Sequence, residues 1–176
     1  MALPPTGPVV DVPGAGLSVQ LPEGWVGWAM EDGPEGYGAA VFPDDEGAAN
    51  AAQRLADAAP DSFLLLGFDP EAGAPGAEVV DVVEDHEAPT GSTLDQIAQL
   101  EVNGLTRHGA TIVSRFDIDV PAGRTQQVVY QQDDARVVAY ITVVDGRTWI
   151  VTFVFRDGGM NVAVTAGSME TFSVAG

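Results

Sequence analysis

The residues best equipped for chemistry in this chain are a few acids and two histidines. Glu84-Asp85-His86-Glu87 places three carboxylates and an imidazole in four consecutive positions, a donor set suited to weak binding of a divalent cation. No matched ligand set stands elsewhere, and a solvated strand end has the same composition, so no metal is expected there. His108 immediately precedes Gly109, where an imidazolium suits a helix C-terminus. Asp117 and Asp119 stand two apart, hence on one face of a strand, and Asp133-Asp134 fall in a turn. Paired carboxylates serve acid–base catalysis only where an enclosing cleft drives their pKa values apart, and with 26 acids in the chain such pairs arise by chance. Ser92 begins a Ser-x-x-Asp and is read as a helix N-cap rather than a nucleophile. There is no Gly-x-Ser-x-Gly elbow, no Gly-rich phosphate loop before a helix and no His-Glu-x-x-His pair. No catalytic residue and no cofactor is predicted.

Composition bounds the partners. The 176 residues suit one domain with a real core. The seven basic residues are all Arg, and the formal charge is −19. A field of that sign repels phosphate backbones and anionic membranes and favours basic partners or cations. Without Cys there is no disulfide, thiolate nucleophile or Cys-ligated zinc. The start Met1-Ala-Leu-Pro-Pro lacks the basic and apolar regions of a signal peptide, and no apolar run reaches the roughly 18 residues that span a bilayer. As written the chain is expected in the cytoplasm; had an N-terminal signal been removed, a cell-envelope lipoprotein or a secreted protein is expected instead.

The elements that must position these residues are organised around a hairpin, Arg136 to Arg156. Asp145-Gly146 separates two β-branched, aromatic-rich runs, the strongest short-range hairpin signal. In the second run both alternating sets, Trp149, Val151, Phe153, Phe155 and Ile150, Thr152, Val154, are apolar or nearly so. That predicts a central strand covered on both sides. Upstream, Ala110–Val120 alternates, with Ile112, Ser114, Phe116, Ile118 and Val120 on one face. Pro121-Ala-Gly123 turns it into Gln126–Tyr130, giving a four-strand antiparallel meander with the hairpin. Further strands are predicted at Leu17–Leu21, around Trp25–Met30, at Gly38–Phe42, Ser62–Phe68 and Glu78–Val83, with a loop over Asp69–Ala77. In Glu78–Val83, Val80 and Val82 share one face and Asp81 joins Val79 and Val83 on the other. Helices are predicted at about 46–59, 93–108 and 160–170. The second has apolar residues at helical spacing and a Gly109 stop, and is read as the cover over the central strand. Residues 1–16, rich in Pro and Gly, are expected to form a flexible arm before a single domain over 17–176.

Leu-x-Val-x-Leu-Pro-x-Gly-Trp (Leu17 to Trp25), the Ser62–Asp69 strand, the Ser92-Thr-Leu-Asp helix, the meander through Phe155 and the ending Ser168-Met-Glu-Thr-Phe-Ser173 follow one another in an order that resembles the PsbP-like superfamily, especially its bacterial LpqN- and DcrB-like branch. The resemblance implies an α+β fold, an α/β/α sandwich with a mainly antiparallel sheet. It implies no active site, because the shared motifs are structural. Its members include a photosystem subunit, a Ran-binding import factor, envelope lipoproteins and secretion-effector chaperones, whose common property is binding another protein.

The expectation is therefore a non-catalytic adaptor or chaperone-like module, linked to secretion or the cell envelope. It would hold another protein or peptide segment through Trp25, Trp28, Glu84, Asp85 and Glu87. The alternative is a small-ligand or cation carrier with a pocket near the same residues. A hydrolase built on Asp117 and Asp119 ranks third.

Overall fold

The computed structural model describes residues 6–72, 78–156 and 162–175. Its chain reverses at Asp145 and Gly146 with φ of 50° and 79°, the two positive angles that a two-residue hairpin turn needs. Gly146 adopts this freely for want of a Cβ, and Asp is among the few residues that tolerate it. The strands are β1 (Val9–Val12), β2 (Leu17–Gln20), β3 (Val26–Ala29), β4 (Phe63–Phe68), β5 (Glu78–Asp85), β6 (Thr111–Val120), β7 (Gly123–Gln132), β8 (Ala135–Val144), β9 (Arg147–Phe155) and β10 (Ser173–Val174). The helices are α1 (Tyr37–Val41), α2 (Glu46–Ala58), α3 (Leu94–Arg107) and α4 (Val162–Met169).

The main sheet has seven strands in the order β3-β4-β5-β9-β8-β7-β6, and its pairings are antiparallel. The predicted meander is its β6–β9 half. β9 is central, as its two apolar faces imply, because β5 crosses over to pair along its whole length, Glu78↔Phe155 through Asp85↔Thr148.

The two faces of the sheet are covered differently. On the front lie Leu65, Val80, Val82, Val138, Tyr140, Trp149, Val151 and Phe153, each at most 1% exposed. A second, three-stranded sheet in the order β1-β2-β10 packs there through Val12, Leu17, Val19 and Leu21, together with Met169 and Phe172 from the end of α4. A buried polar chain anchors α4 to the sheet: Gln127 Nε2 donates to Tyr140 Oη at 2.9 Å, and Tyr140 Oη meets Thr165 Oγ1 at 2.7 Å. On the back, α1 and α2 cover β3 and β4, while α3 covers β6, β7 and β8. The fold is thus mixed α+β, with a front layer that is part strand and part helix.

Several expectations are corrected. The arm is ordered from Val9: Val10 and Val12 alternate inward, and β1 pairs with β2 from Val9↔Gln20 to Val12↔Leu17. Residues 1–5 of that arm, 73–77 of the expected loop, and the expected Asp157–Gly159 stop with residues 160 and 161 of the expected terminal helix lie outside the described residues. Gly38–Phe42 is not a strand: Gly38 to Val41 belong to α1 and Phe42 is its C-cap. Tyr37 at its start is fully buried and packs edge-on against Trp28 and Phe68, with centroids 6.0 and 5.9 Å apart. Gly38 lies so close to α2 that a Cβ would sit 1.9 Å from the Ala49 carbonyl oxygen. Gln53 of α2 fastens the contact, accepting from Gly38 N at 3.1 Å and donating to the Pro34 carbonyl at 2.6 Å.

The N-cap of α3 is Thr93 rather than Ser92. Thr93 Oγ1 accepts from Gln96 N at 3.3 Å while Gln96 Oε1 accepts from Thr93 N at 2.9 Å, a reciprocal box that Ser92 and Asp95 do not form. His108 is the C-cap, followed by Gly109 at φ 90°. In β6 the register shifts between Ile112, opposite Tyr130, and Ser114, opposite Val129. This bulge at Val113 sends Ile112 to the back, against α3, while Ile118 and Val120 pack on the front.

Candidate functional site

The site is built on β5. Alternation sends Val80 and Val82 to the front and Val79, Asp81 and Val83 to the back. Its neighbour β9 likewise presents Ile150, Thr152 and Val154 to the back, with Asp81↔Thr152 and Val83↔Ile150 as direct partners. All six of these back-facing residues are only half-buried. The cause is the placement of the helices. Leu94, Ile97 and Ala98 of α3 pack with Val128, Tyr130, Val137 and Ile141, and Ala52 and Ala56 of α2 pack with Leu66 and Phe68. The two central strands lie between these clusters. The expectation that α3 covers the central strand is thereby corrected: it sits toward the β6 side and reaches β9 only with its flank.

The resulting trough holds two separate hollows that follow one another along β5. One, of about 280 Å³, lies between the C-terminal end of α2 and strands β4, β5 and β9, with apolar walls that include Leu55, Phe63, Val79 and Val154, and with Asp81 and Arg156 as its charged residues. The other, of about 410 Å³, follows β5 past Val83 and Ile150 to Glu84, Asp85, His86 and Glu87, with Glu101 of α3 on its far side.

Asp81 is the electrostatic centre of the floor. Burial pushes its carboxyl up to about 7, against the opposing effect of the hydroxyl of Thr152, which donates to it. Burial also raises Glu101, and the nearby Asp85 carboxylate adds to the rise. Tyr130 on β7 is raised to about 12, first by burial and then by Asp81 and Glu101. The back of the sheet is therefore a place where negative charge is disfavoured yet concentrated, and a cation relieves that conflict.

The sequence-predicted residues distribute unevenly. Trp25 is 5% exposed and packs in the front core, edge-on to Phe153 and Phe155 at 6.1 and 6.4 Å. Trp28 lies on the back beneath α1, its Nε1 donating to the Gly33 carbonyl at 3.2 Å. The two tryptophans stand on opposite faces and form no common platform, and neither lines the trough.

Glu84, Asp85 and Glu87 do come together, with different roles. Glu84 is held below the usual carboxylate range by Arg147, whose Nε and Nη2 each donate to one of its oxygens at 2.7 Å. Arg147 in turn stacks over the Trp149 ring, 4.6 Å from its centroid. Asp85 accepts from the Glu87 backbone N at 2.8 Å and shapes the turn. Glu87 is exposed at the rim. His86 Nδ1 lies 3.7 Å from Glu84 Oε1, but among the described residues no three His, Asp or Glu side chains converge as a metal-ion ligand set.

Asp117 is bound to Arg124, with Nη2 to Oδ2 at 2.5 Å, and accepts also from Gln126; Arg124 bridges on to Asp95 at 3.0 Å. That exposed network ties β6 and β7 to the start of α3. Asp133 holds the β7–β8 turn at φ 52°. Asp81 and Glu101 were not singled out from the sequence. The signal for Asp81 was present: an acid between two valines on one face of a strand that is apolar on both faces.

No family model matches the chain, and neither does any curated protein. Among solved structures, the solution structure of cyanobacterial PsbP (CyanoP) from Synechocystis superposes with a TM-score of 0.55 over 96% of this chain and 92% of that one, at 13% identity. The fold is PsbP-like. A Bacteroides thetaiotaomicron crystal structure aligns with 97% of this chain and 49% of its own, at 14% identity and a TM-score of 0.47. A Pseudomonas aeruginosa protein of unknown function aligns over 96% and 97%, at 10% identity and 0.48. What this chain shares with the cyanobacterial structure is its fold, and its trough has to be read from its own residues. Among the described residues no helix is long and apolar enough to cross a membrane.

Proposed function

We propose that this protein is a non-catalytic binding module that holds a segment of another protein in the trough over β5 and β9. A place in the LpqN- and DcrB-like branch, and a link to secretion or the cell envelope, belong to the same proposal. The observation that carries it is the half-burial of Val79, Asp81, Val83, Ile150, Thr152 and Val154 at the centre of a sheet whose front is sealed. Central strands with two apolar faces are ordinarily covered on both.

The dimensions suit a helix. From Val79 to Asp85 the floor runs seven residues, about 20 Å over the six steps between them. The clusters under α2 and α3 centre on β4 and β7, four strand spacings apart in the sheet order, or roughly 19 Å. Helices pack about 8–10 Å apart, so one more helix fits between them. A net charge of −19 steers basic partners toward it. The edge strand β6 is a poorer docking place, because its bulge at Val113 and its charged Arg115, Asp117 and Asp119 are devices that discourage strand addition.

A photo-crosslinking residue at Val83, with one at exposed Val113 as control, tests this in native host lysate. A cross-linked segment of one partner, obtained from Val83 and not from Val113, is the expected result. Equal labelling from both positions, or none from Val83, overturns the proposal.

A further inference from the structure

The smaller hollow of the trough carries a more specific assignment, which rests on the binding-module reading above. We infer that this pocket receives a basic side chain of the partner segment, lysine in preference to arginine, with Asp81 as its counter-ion. Three observations on the pocket lead there. Its walls, including Leu55, Phe63, Val79 and Val154, are apolar and suit the methylene stem that lysine buries while its ammonium seeks a polar partner. Its floor offers a single carboxylate, already accepting from Thr152. That leaves it better matched to the point-like ammonium than to the two-pronged guanidinium. The neighbouring hollow farther along β5 holds Glu101 and Asp85, with Glu87 at the rim, so the surrounding field favours a cation.

Arg156 stands in the wall of the same pocket, and the rival assignment is a partner carboxylate directed to it. The local charges weigh against that rival. Asp81, Asp85, Glu87 and Glu101 lie along the trough, while Arg147 is engaged by Glu84. Because a buried ion pair roughly offsets its own desolvation, the lysine contributes discrimination more than affinity.

The test uses the full chain and two acetylated, amidated twelve-residue amphipathic peptides. One is built of Leu, Ala and Lys; in the other every Lys is Gln. Twelve helical residues span about 18 Å, close to the roughly 20 Å of the floor. Binding is followed by NMR on the methyl groups of Val79, Val83 and Val154 in the wild type and in Asp81→Asn, Glu87→Gln and Arg156→Gln, each variant first checked for a cooperative thermal melt.

The expected result is that the Lys peptide binds about tenfold more tightly than the Gln peptide, that Asp81→Asn abolishes the difference, and that Glu87→Gln, at the solvent-exposed rim, lowers it only slightly. A difference that disappears in Glu87→Gln and persists in Asp81→Asn overturns the assignment in favour of rim electrostatics. Tighter binding of a third version, with Glu at every Lys position, lost in Arg156→Gln, overturns it in favour of a carboxylate anchor. Equal binding of both peptides to the wild type and Asp81→Asn overturns it while leaving the module reading intact. If neither peptide shifts the trough methyls, both readings fall.

Discussion

Asp81 is the residue where stability and binding meet. Its unfolded carboxyl titrates near 3.8 and its folded one near 7, so between those values the folded state binds more protons than the unfolded. Its contribution to stability therefore falls as pH rises from about 4 to about 7. Asp81→Asn removes the cost. The variant is expected to match the wild type below pH 4 and to exceed it at pH 8. Each pKa unit is worth about 1.4 kcal/mol, and residual solvent access reduces the total, so a gain of roughly 2 kcal/mol is expected in urea melts of the two proteins. An unchanged difference between pH 4 and pH 8 would refute the burial of that carboxyl. A residue kept at such a cost is a candidate for function, and this one faces a pocket.

At the scale of elements, the pairing of α1 with α2 depends on one missing side chain. Gly38 admits the Ala49 carbonyl where a Cβ would overlap it at 1.9 Å. Gly38→Ala is expected to destabilise the protein by about 2–3 kcal/mol, the scale of overpacking, and to loosen α1 first. Hydrogen exchange at Ala40 and Phe42, whose amides bond to Gly36 and Gly38 carbonyls, would register the change before the sheet does. The legibility of elements follows the same logic. β7, β8 and β9 were evident because turn chemistry and alternation are local. α1 was not, because Gly-Ala-Ala-Val carries neither period, and only the seat for Tyr37 between Trp28 and Phe68 makes it helical. The alternation of β6 marks it as a strand, but its bulge leaves no local mark. The trough was invisible for a different reason. It depends on β5 pairing with β9 across the intervening α3 and three further strands, and on how far α3 sits from that seam, and neither is encoded in any short window. Composition alone marks the acids at Glu84–Glu87, whereas the role of Asp81 depends on which strand lies beside which.

For the whole molecule, charge is the dominant quantity. At −19 the surface acids repel one another, and the exposed pairs, Arg124 with Asp95 and Asp117, neutralise only a few. Raising sodium chloride from 20 to 500 mM shortens the Debye length from about 20 Å to about 4 Å. A rise in Tm of several degrees is expected in a thermal scan. A flat response would mean that the acids are spaced widely enough not to interact.

The position of the trough has one more consequence. Its floor is made of strands hydrogen-bonded on both flanks, β5 to β4 and β9, and β9 to β5 and β8. Such amides exchange only when the whole domain opens. An occupant thus meets a surface already fixed in shape, and the ordering entropy of association falls on the occupant and on the side chains at the rim rather than on the host backbone. Tuning of affinity over time would proceed through single wall residues such as Leu55 or Val154, with the sheet beneath acting as an unchanging template.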